Sequence, residues 1–502
     1  MMEKNNSSAY GRMVKKRIAI IVPTLQNGGA ERVAGLLSKE LSRFYKVFLL
    51  VNDASQRVYT YEGTLICLQE IQKQNNISYC EALSRVKEEQ GIDVSISFLA
   101  YYNFANIRTR GKDKIIISER NAQSRFEPRA RYIDRIEKEY YGFADVIVAC
   151  SEGVKYNLSS EYGIKQRLIH TIYNYVEQSS IRDMSGAGID DDIASWLNGA
   201  DFFLNIGRLH PQKQQGRLIR QFALFHETDR NNMKLVIIGS GILEEKLKEM
   251  IREYCMQDYI LLVPYLNNPF PYIRESKCVI LSSHHEGLPN VLLEAMTIGR
   301  PIIAIDCLAG PRELLDDEGD YSLPISDNKV CKRGVLVPDA DTDDSGKTEF
   351  LARAMKWILT NEEKCDQFVN AQLLYMSHYD NKRITEEWIE LIEATERKDN
   401  YIPERENRLL SNADQIYIYG AGKRGKSIFN RLNDKYNITA FIVSDGQDSA
   451  SYENEIPIKQ LSDVNVADDN TVVILGVGAL YADEVVKQLE EHRVKNLIIL
   501  GD

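Results

Sequence analysis

The residues whose type and spacing best suit chemistry lie in Glu286-Gly-Leu-Pro-Asn-Val-Leu-Leu-Glu294, directly after the apolar run Cys278 to Leu281. Pro289 suits the first turn of a helix, so the pattern predicts a strand, a short loop and a helix whose N-terminal amides are free to hold an anion. Glu286, in the loop, can accept hydrogen bonds from sugar hydroxyls, and Glu294, over a turn later, can reach a ribose. Two carboxylates straddling one phosphate seat suit a nucleotide-sugar. Alone, the segment also reads as an acid favoured by the helix dipole beside an unremarkable second glutamate.

In Phe203-Leu-Asn-Ile-Gly-Arg208-Leu-His-Pro-Gln-Lys213 a buried strand ends at Gly207 and delivers two cations into the following loop, as a diphosphate leaving group needs. Without context such charges are also ordinary solvated loop residues. Gly28 and Gly29 stand between the first strand and its helix, where absent side chains let backbone amides approach a phosphate, although a glycine pair also makes a plain turn. His284 and His285 lack metalloprotease spacing and read as wall residues. The eight cysteines form no CxxC pair and have no histidine at zinc-ligand spacing, so they read as reduced thiols and no metal site is expected.

A second constellation, Gly420-Ala-Gly422-Lys-Arg-Gly425, falls between a strand and a helix, with Asp445 closing the next strand. That is the full dinucleotide fingerprint. The module has no visible second half to hold a nicotinamide and a substrate, so two readings stay open: an unidentified nucleotide ligand, or a structural or docking role.

These motifs need alternating strands and helices to position them. At roughly 150 residues per domain, 502 residues suggest about three domains. Buried-strand runs open at Arg17 and recur at Val47 to Val51, Val94 to Phe98, Ile115 to Ser118, Val146 to Cys150 and Ile169 to Ile172. They restart at Phe202 to Ile206, Leu235 to Ile238, Ile260 to Val263, Cys278 to Leu281 and Ile302 to Ile305, and a third time from Gln415, there with four strands. The expected organisation is an N-terminal extension (1–15), a Rossmann-like domain (16–180), a polar linker (181–200), a second Rossmann-like domain (201–395), a charged linker (396–412) and a small Rossmann-like accessory domain (413–502).

A net charge of −11 argues against a nucleic-acid partner. Within it, Arg108 to Lys138 holds ten basic and five acidic residues, which reads either as a solvated face or as a surface attracting anionic lipid head groups. No apolar run approaches the roughly 20 residues of a membrane span, and the basic N-terminus lacks a signal-peptide core, so the expected location is the cytoplasm or the inner face of the cell membrane.

In this order, Gly28-Gly-Ala-Glu-Arg-Val, Gly207-Arg-Leu with Lys213, Leu235-Val-Ile-Ile-Gly-Ser-Gly, and Glu286 with Glu294 resemble the retaining glycosyltransferases of family 4, over roughly residues 16 to 395. Ser97-Phe-Leu, Ile117-Ser-Glu-Arg-Asn and Asp306-Cys with Gly310-Pro-Arg-Glu are similar to the bacterial subgroup that adds N-acetylhexosamines to lipid-diphosphate-linked glycans and capsular repeats. The resemblance implies a GT-B fold, two Rossmann-like domains facing across a cleft, with the UDP-sugar donor on the second domain and the glycan acceptor on the first. It implies that Arg208 and Lys213 neutralise the diphosphate, that Glu286 holds the donor sugar and Glu294 the ribose, and that the backbone of Gly287, Leu288, Pro289 and Asn290 meets the phosphates. Gly28 and Gly29 would close over the diphosphate, with no metal or other cofactor required. Many members carry a histidine where this chain reads Arg120; arginine is no general base near neutral pH, so Arg120 would act electrostatically or on the acceptor. Two rivals remain at this level, a nucleotide-sugar epimerase of the same fold and a non-catalytic nucleotide-sugar-binding scaffold.

Overall fold

The computed structural model describes residues 15–26, 28–55, 58–122, 131–229, 232–307, 309–317, 320–339, 349–398, 402–446, 452–453 and 456–500. The apolar runs become the strands of three sheets. In the first, β1 (Arg17–Val22), β2 (Lys46–Val51), β3 (Thr64–Cys67), β4 (Val94–Phe98), β5 (Lys114–Glu119), β6 (Val146–Ala149) and β7 (Ile169–Thr171) lie in the order β3-β2-β1-β4-β5-β6-β7. In the second, β8 (Phe202–Ile206), β9 (Lys234–Ile238), β10 (Ile260–Val263), β11 (Cys278–Leu281), β12 (Ile302–Asp306), β13 (Lys329–Val330) and β14 (Val335–Pro338) lie as β10-β9-β8-β11-β12-β14-β13. In the third, β15 (Gln415–Tyr419), β16 (Ala440–Val443), β17 (Tyr452–Glu453), β18 (Ile456–Gln460), β19 (Thr471–Leu475) and β20 (Asn496–Ile499) lie as β17-β18-β16-β15-β19-β20.

Each sheet places its first strand at the centre, winds outward one way, then returns to wind the other way. Winding therefore reverses between β1 and β4, between β8 and β11, and between β15 and β19, and at such a reversal the loops leaving the carboxyl ends diverge and leave a crevice. The strands flanking these points pair in parallel and are buried along nearly their whole length, which is why they read as continuous apolar runs. Helix Gln215–Asp229 seals one face of the second sheet through Phe222 and Phe225, whose ring meets Phe203 of β8 edge-on at 5.7 Å. Ile418, Phe429, Phe441 and Ile474 do the same for the third sheet.

Three expectations change. The stretch 181–200 is not an open linker: helices Gln178–Ser185 and Asp191–Leu197 occupy most of it, with Ile181 and Leu197 buried. Asp191 and Asp192 lie in the first turn of the second helix, where carboxylates are favoured, so the acidic run starts a helix. The segment 396–412 likewise ends in helix Ile402–Asn412, whose Glu406 and Leu410, one turn apart, share a buried face. The third sheet has six strands rather than four; β18 was hidden by Pro457, tolerated where it faces the two-residue edge strand β17. By contact, the chain divides into one unit of Met1–Ile117, Glu139–Val146 and Ile392–Asp502 and another of Ser118–Lys138 and Ile147–Leu391. The third sheet thus belongs to the same unit as strands β1 to β4. No helix among the described residues is long and apolar enough to cross a membrane.

The Tyr272 hydroxyl holds the start of helix Asp191–Leu197 in place, donating to Asp190 Oδ2 at 2.6 Å and accepting from Asp190 N at 3.1 Å. Tyr272→Phe should lower the free energy of unfolding by about 1.5 to 3 kcal/mol, the range for a hydrogen bond to a charged group. Urea denaturation checks this; an unchanged midpoint would mean that the segment is held by apolar packing alone.

Candidate active site

The second unit brings the two charged loops together at the reversal between β8 and β11. Leaving β8, the chain passes Gly207 and Arg208 into a single turn, Pro211–Lys213, and enters helix Gln215–Asp229 through Gln214 at φ 51°. Leaving β11, it runs from Ser282 to Pro289 into helix Asn290–Ile298. Lys213 Nζ meets Glu286 Oε1 at 2.5 Å, with the Glu286 side chain buried and that of Lys213 one-fifth exposed. The loops are also stitched through their backbones. Ser282 Oγ donates to Lys213 O at 2.7 Å, His284 N to Gln212 O at 2.9 Å, and Gln212 Nε2 to the His285 carbonyl at 2.8 Å. The Lys213 stem lies over Gly207, and Arg208 is exposed on the same loop.

Pro289 is the residue just before the helix rather than part of its first turn. Glu294 is buried one turn beyond Asn290, on the same face. Gly287 admits no side chain: a Cβ there would overlap the Arg120 carbonyl and come within 2.7 Å of Cys150 Sγ. Gly310, at φ 72°, packs over the same turn, where a Cβ would meet Pro289 Cδ at 2.6 Å and Gly287 O at 2.7 Å. Arg120 lies below the turn, its Nη1 donating to Asn174 Oδ1 at 2.7 Å. Asn174 Nδ2 in turn lies 3.1 Å from Leu288 O and 2.9 Å from Asn290 Oδ1. The Ala122 amide donates to Glu286 O at 3.1 Å. Arg120, Glu286, Leu288 and Asn290 are thus one hydrogen-bonded assembly.

Asn174, Gln212 and Ser282 were given no role by sequence, and Gly310 entered only as part of the Gly310-Pro-Arg-Glu motif. Arg217 and Asp339 were also missed; Arg217 bonds Asp339 at 2.8 Å and reaches His284 Nδ1 at 2.8 Å, which makes His284 a wall residue. Among these only Arg217, four residues after Lys213 and in the first turn of the helix that follows, offered any positional hint. Among the described residues no cluster of three or more His, Cys, Asp or Glu is placed to hold a metal ion.

A family model described as Glycosyl transferases group 1 matches residues 190–373, and one described as Glycosyltransferase Family 4 matches residues 27–179. The chain belongs to the family 4 glycosyltransferases. An uncharacterised glycosyltransferase of Methanocaldococcus jannaschii is 31% identical over 51% of this chain and 66% of its own length, just under two thirds. A Campylobacter jejuni relative, N-acetylgalactosamine-N,N'-diacetylbacillosaminyl-diphospho-undecaprenol 4-alpha-N-acetylgalactosaminyltransferase, is 27% identical over 60% of this chain and 84% of its own length. The structure of Anabaena HepE in complex with UDP superposes with a TM-score of 0.58 at 15% identity, covering 76% of this chain and all of the other, which shows the GT-B fold. Neither family match extends past residue 373.

In this glycosyltransferase Gly28 and Gly29 lie in the first unit, at the start of helix Gly29–Ser42 behind β1, where the Glu31 carboxylate folds back against Gly28. The fingerprint of the third sheet forms around its own reversal. Gly420 (φ 103°) follows β15, Gly422 caps helix Lys423–Leu432 with nothing above it, and Gly425 presses on the Gly420 carbonyl. Asp445 is at the end of β16, accepting from the Ser462 amide at 2.9 Å, which lowers its pKa. Close packing explains Gly425, and the Gly422 turn is open.

Lys112, Arg131 and Lys138 of the basic segment are exposed, but three of its arginines are not free surface charge. Arg108 pairs with Glu406, Arg110 with Asp145 at 2.8 Å, and Arg120 is buried beside Asn174; Arg125 and Arg129 lie outside the described residues. The thiols near the site are inert, since burial pushes Cys150 up to about 12 and Cys307 well above its ordinary value.

Glu313 is buried while its carboxylate accepts from the amides of Glu152 and Gly153, both at 2.9 Å, at the N-terminus of helix Glu152–Ser160. Desolvation outweighs these bonds and raises its pKa above 4.5. Below that value the carboxyl is protonated folded or unfolded; as pH rises toward the raised folded value, the unfolded chain ionises first and stability is lost. Glu313→Gln keeps an acceptor oxygen without the charge. The melting temperature of the variant should gain on wild type as pH rises from about 5 to about 8, whereas a constant difference would show that Glu313 ionises normally.

Gly310→Ala should cost roughly 1 to 3 kcal/mol through the left-handed backbone and overpacking. It should also lower turnover by displacing the Glu286 loop; wild-type kinetics would show that the loop tolerates movement.

Proposed function

We propose that this glycosyltransferase moves a hexose or N-acetylhexosamine from a UDP-sugar to a growing lipid-linked glycan of a surface polysaccharide or capsule, with retention of configuration and without a metal ion. The observation that supports it most is the Lys213–Glu286 pair at the reversal between β8 and β11, beside a helix N-terminus without a side-chain cap. An ammonium has three donors, so Lys213 can keep one on Glu286 and give another to a phosphate oxygen. Glu286, oriented in this way, accepts from donor-sugar hydroxyls; Arg208, on the same loop, adds a second cation to the diphosphate; and Glu294 serves the ribose.

In the proposed step the bond from the anomeric carbon to the diphosphate oxygen breaks, and the bond to the acceptor oxygen forms on the same face. The acceptor proton passes to the leaving phosphate oxygen. Lys213 and Arg208 stabilise the charge developing on UDP, the part that a divalent cation plays elsewhere. Buried and hydrogen-bonded to Asn174, Arg120 adds positive potential under the Glu286 turn and serves as no base. The acceptor class follows the printed name of the Campylobacter relative, a diphospho-undecaprenol-linked glycan. Such an acceptor would bring the enzyme to the inner face of the membrane.

UDP release from a panel of UDP-sugars, with and without a lipid-diphosphate-linked oligosaccharide, tests the reading. Wild type should release UDP faster with acceptor. Glu286→Ala and Lys213→Ala should each lower kcat by about 100- to 1000-fold, as when one preorganised charge partner of a transition state is removed. Conversion of the sugar without acceptor would indicate an epimerase, binding without turnover a scaffold, and full activity of Glu286→Ala would sink the assignment.

A further inference from the structure

The third sheet lies beyond both family matches, yet it shares a compact unit with strands β1 to β4, and two contacts of the C-terminal part there bear on helix Ala100–Arg108, one directly and one through Tyr140. At the last residue of that helix Arg108 forms a largely buried ion pair with Glu406, from the helix that leads into the third sheet. Phe104, one turn earlier, packs edge-on against Tyr140 at 4.8 Å, and the Tyr140 hydroxyl accepts from the amide of Ile499 in β20 at 3.1 Å. The C-terminal module therefore grips the helix through a charge at its end and through a ring on its flank.

The other end of the helix stands at the reversal between β1 and β4. It begins behind Leu99 at φ 72° and ψ 143°, a backbone conformation unfavourable for leucine that persists only where the packing on both sides imposes it. Its first turn presents Tyr101 and Tyr102, edge to face at 5.3 Å and only partly buried. Burial, with a further contribution from Glu31 of the Gly28 turn, pushes the Tyr102 hydroxyl up to about 12. Partly exposed tyrosine rings beside a carboxylate are suited to a sugar, whose C–H faces stack on rings and whose hydroxyls donate to carboxylates. Beneath, the helix is anchored to β4 by buried polar bonds, Ser97 Oγ to Asn103 Oδ1 at 2.9 Å and Asn106 Nδ2 to Ser97 Oγ at 3.1 Å.

We infer that the C-terminal module is a positioning device for the acceptor: through Glu406–Arg108 and Ile499–Tyr140 it fixes helix Ala100–Arg108, and with it the strained Leu99 turn and the Tyr101–Tyr102 wall that face the acceptor sugar. Glu406 and Arg108 are positioning residues and touch no substrate. The inference rests on the proposed glycan transfer and assigns the first-sheet reversal to the acceptor.

The test uses the full chain and two rates, UDP release with a lipid-diphosphate-linked oligosaccharide and the slower release to water without it. Glu406→Gln should raise the acceptor KM by roughly three- to thirty-fold, the span of couplings transmitted through packed networks, with the donor KM and the rate to water unchanged. The exchange Arg108→Glu with Glu406→Arg should recover part of the acceptor affinity, which a loss of folding alone would not explain. Tyr140→Phe, a milder change at the second grip, should move the acceptor KM in the same direction. If Glu406→Gln fails to fold, Tyr140→Phe decides. An acceptor KM within twofold of wild type in the folded variants, or an equal rise in donor KM, overturns the inference. Absence of UDP release from wild type would instead overturn the proposed transfer itself.

Discussion

The chemistry of the second unit depends on one topological constraint, the reversal of winding between β8 and β11. Loops that follow neighbouring parallel strands ordinarily cross to helices on the same face; at a reversal they leave in opposite directions and their first residues face each other across a gap. Lys213 and Glu286 are 73 residues apart in sequence and 2.5 Å apart in space for that reason. The pair is held in a partly dehydrated setting where the attraction is stronger than in water, and the ammonium fixes the orientation of the carboxylate. Moving either loop to another strand end would leave a half-buried charge without its partner, which costs more than the pair gains.

Orientation also requires that the Glu286 loop cannot drift, and here the glycines act through their lack of volume. Gly287 lets the Arg120 backbone press against one side of the turn, and Gly310 lets another segment press against the other. Asn174 then ties Arg120 to Leu288 and Asn290. A turn clamped between two backbones and cross-linked by an amide loses little further freedom on meeting a ligand. This explains the insistence on glycine at 287 without appeal to φ, and at 310 with it.

Much of this was legible in the sequence. Parallel strands buried on both faces read as unbroken apolar runs, so Ile18 to Val22 and Phe202 to Ile206 announced themselves, and the loops after them carried the charged motifs at fixed spacing. What escaped had one cause, dependence on partners remote in sequence. Asn174 has meaning only beside Arg120 and Asn290, and Asp339 only beside Arg217. Arg108 and Arg110 counted as surface charge until Glu406 and Asp145 were found against them. The polar stretches around 190 and 405 looked like linkers because their helices bury only a narrow face, and a composition cannot distinguish a solvated segment from one that spends a few residues on docking.

The same reasoning separates two helix N-termini that the sequence treats alike. Helix Glu152–Ser160 has its free amides taken by Ser151 and by the Glu313 carboxylate, so its positive end is neutralised from within, at the expense of a buried acid with a raised pKa. Helix Asn290–Ile298 is preceded by Pro289, which has no side-chain acceptor, and carries no side-chain cap. A helix start without a side-chain cap keeps its first amides and its dipole available for an anion. An internal acid at the first helix and an uncapped start at the second are two solutions to one electrostatic problem, and only at the second are the first amides left without a side-chain cap.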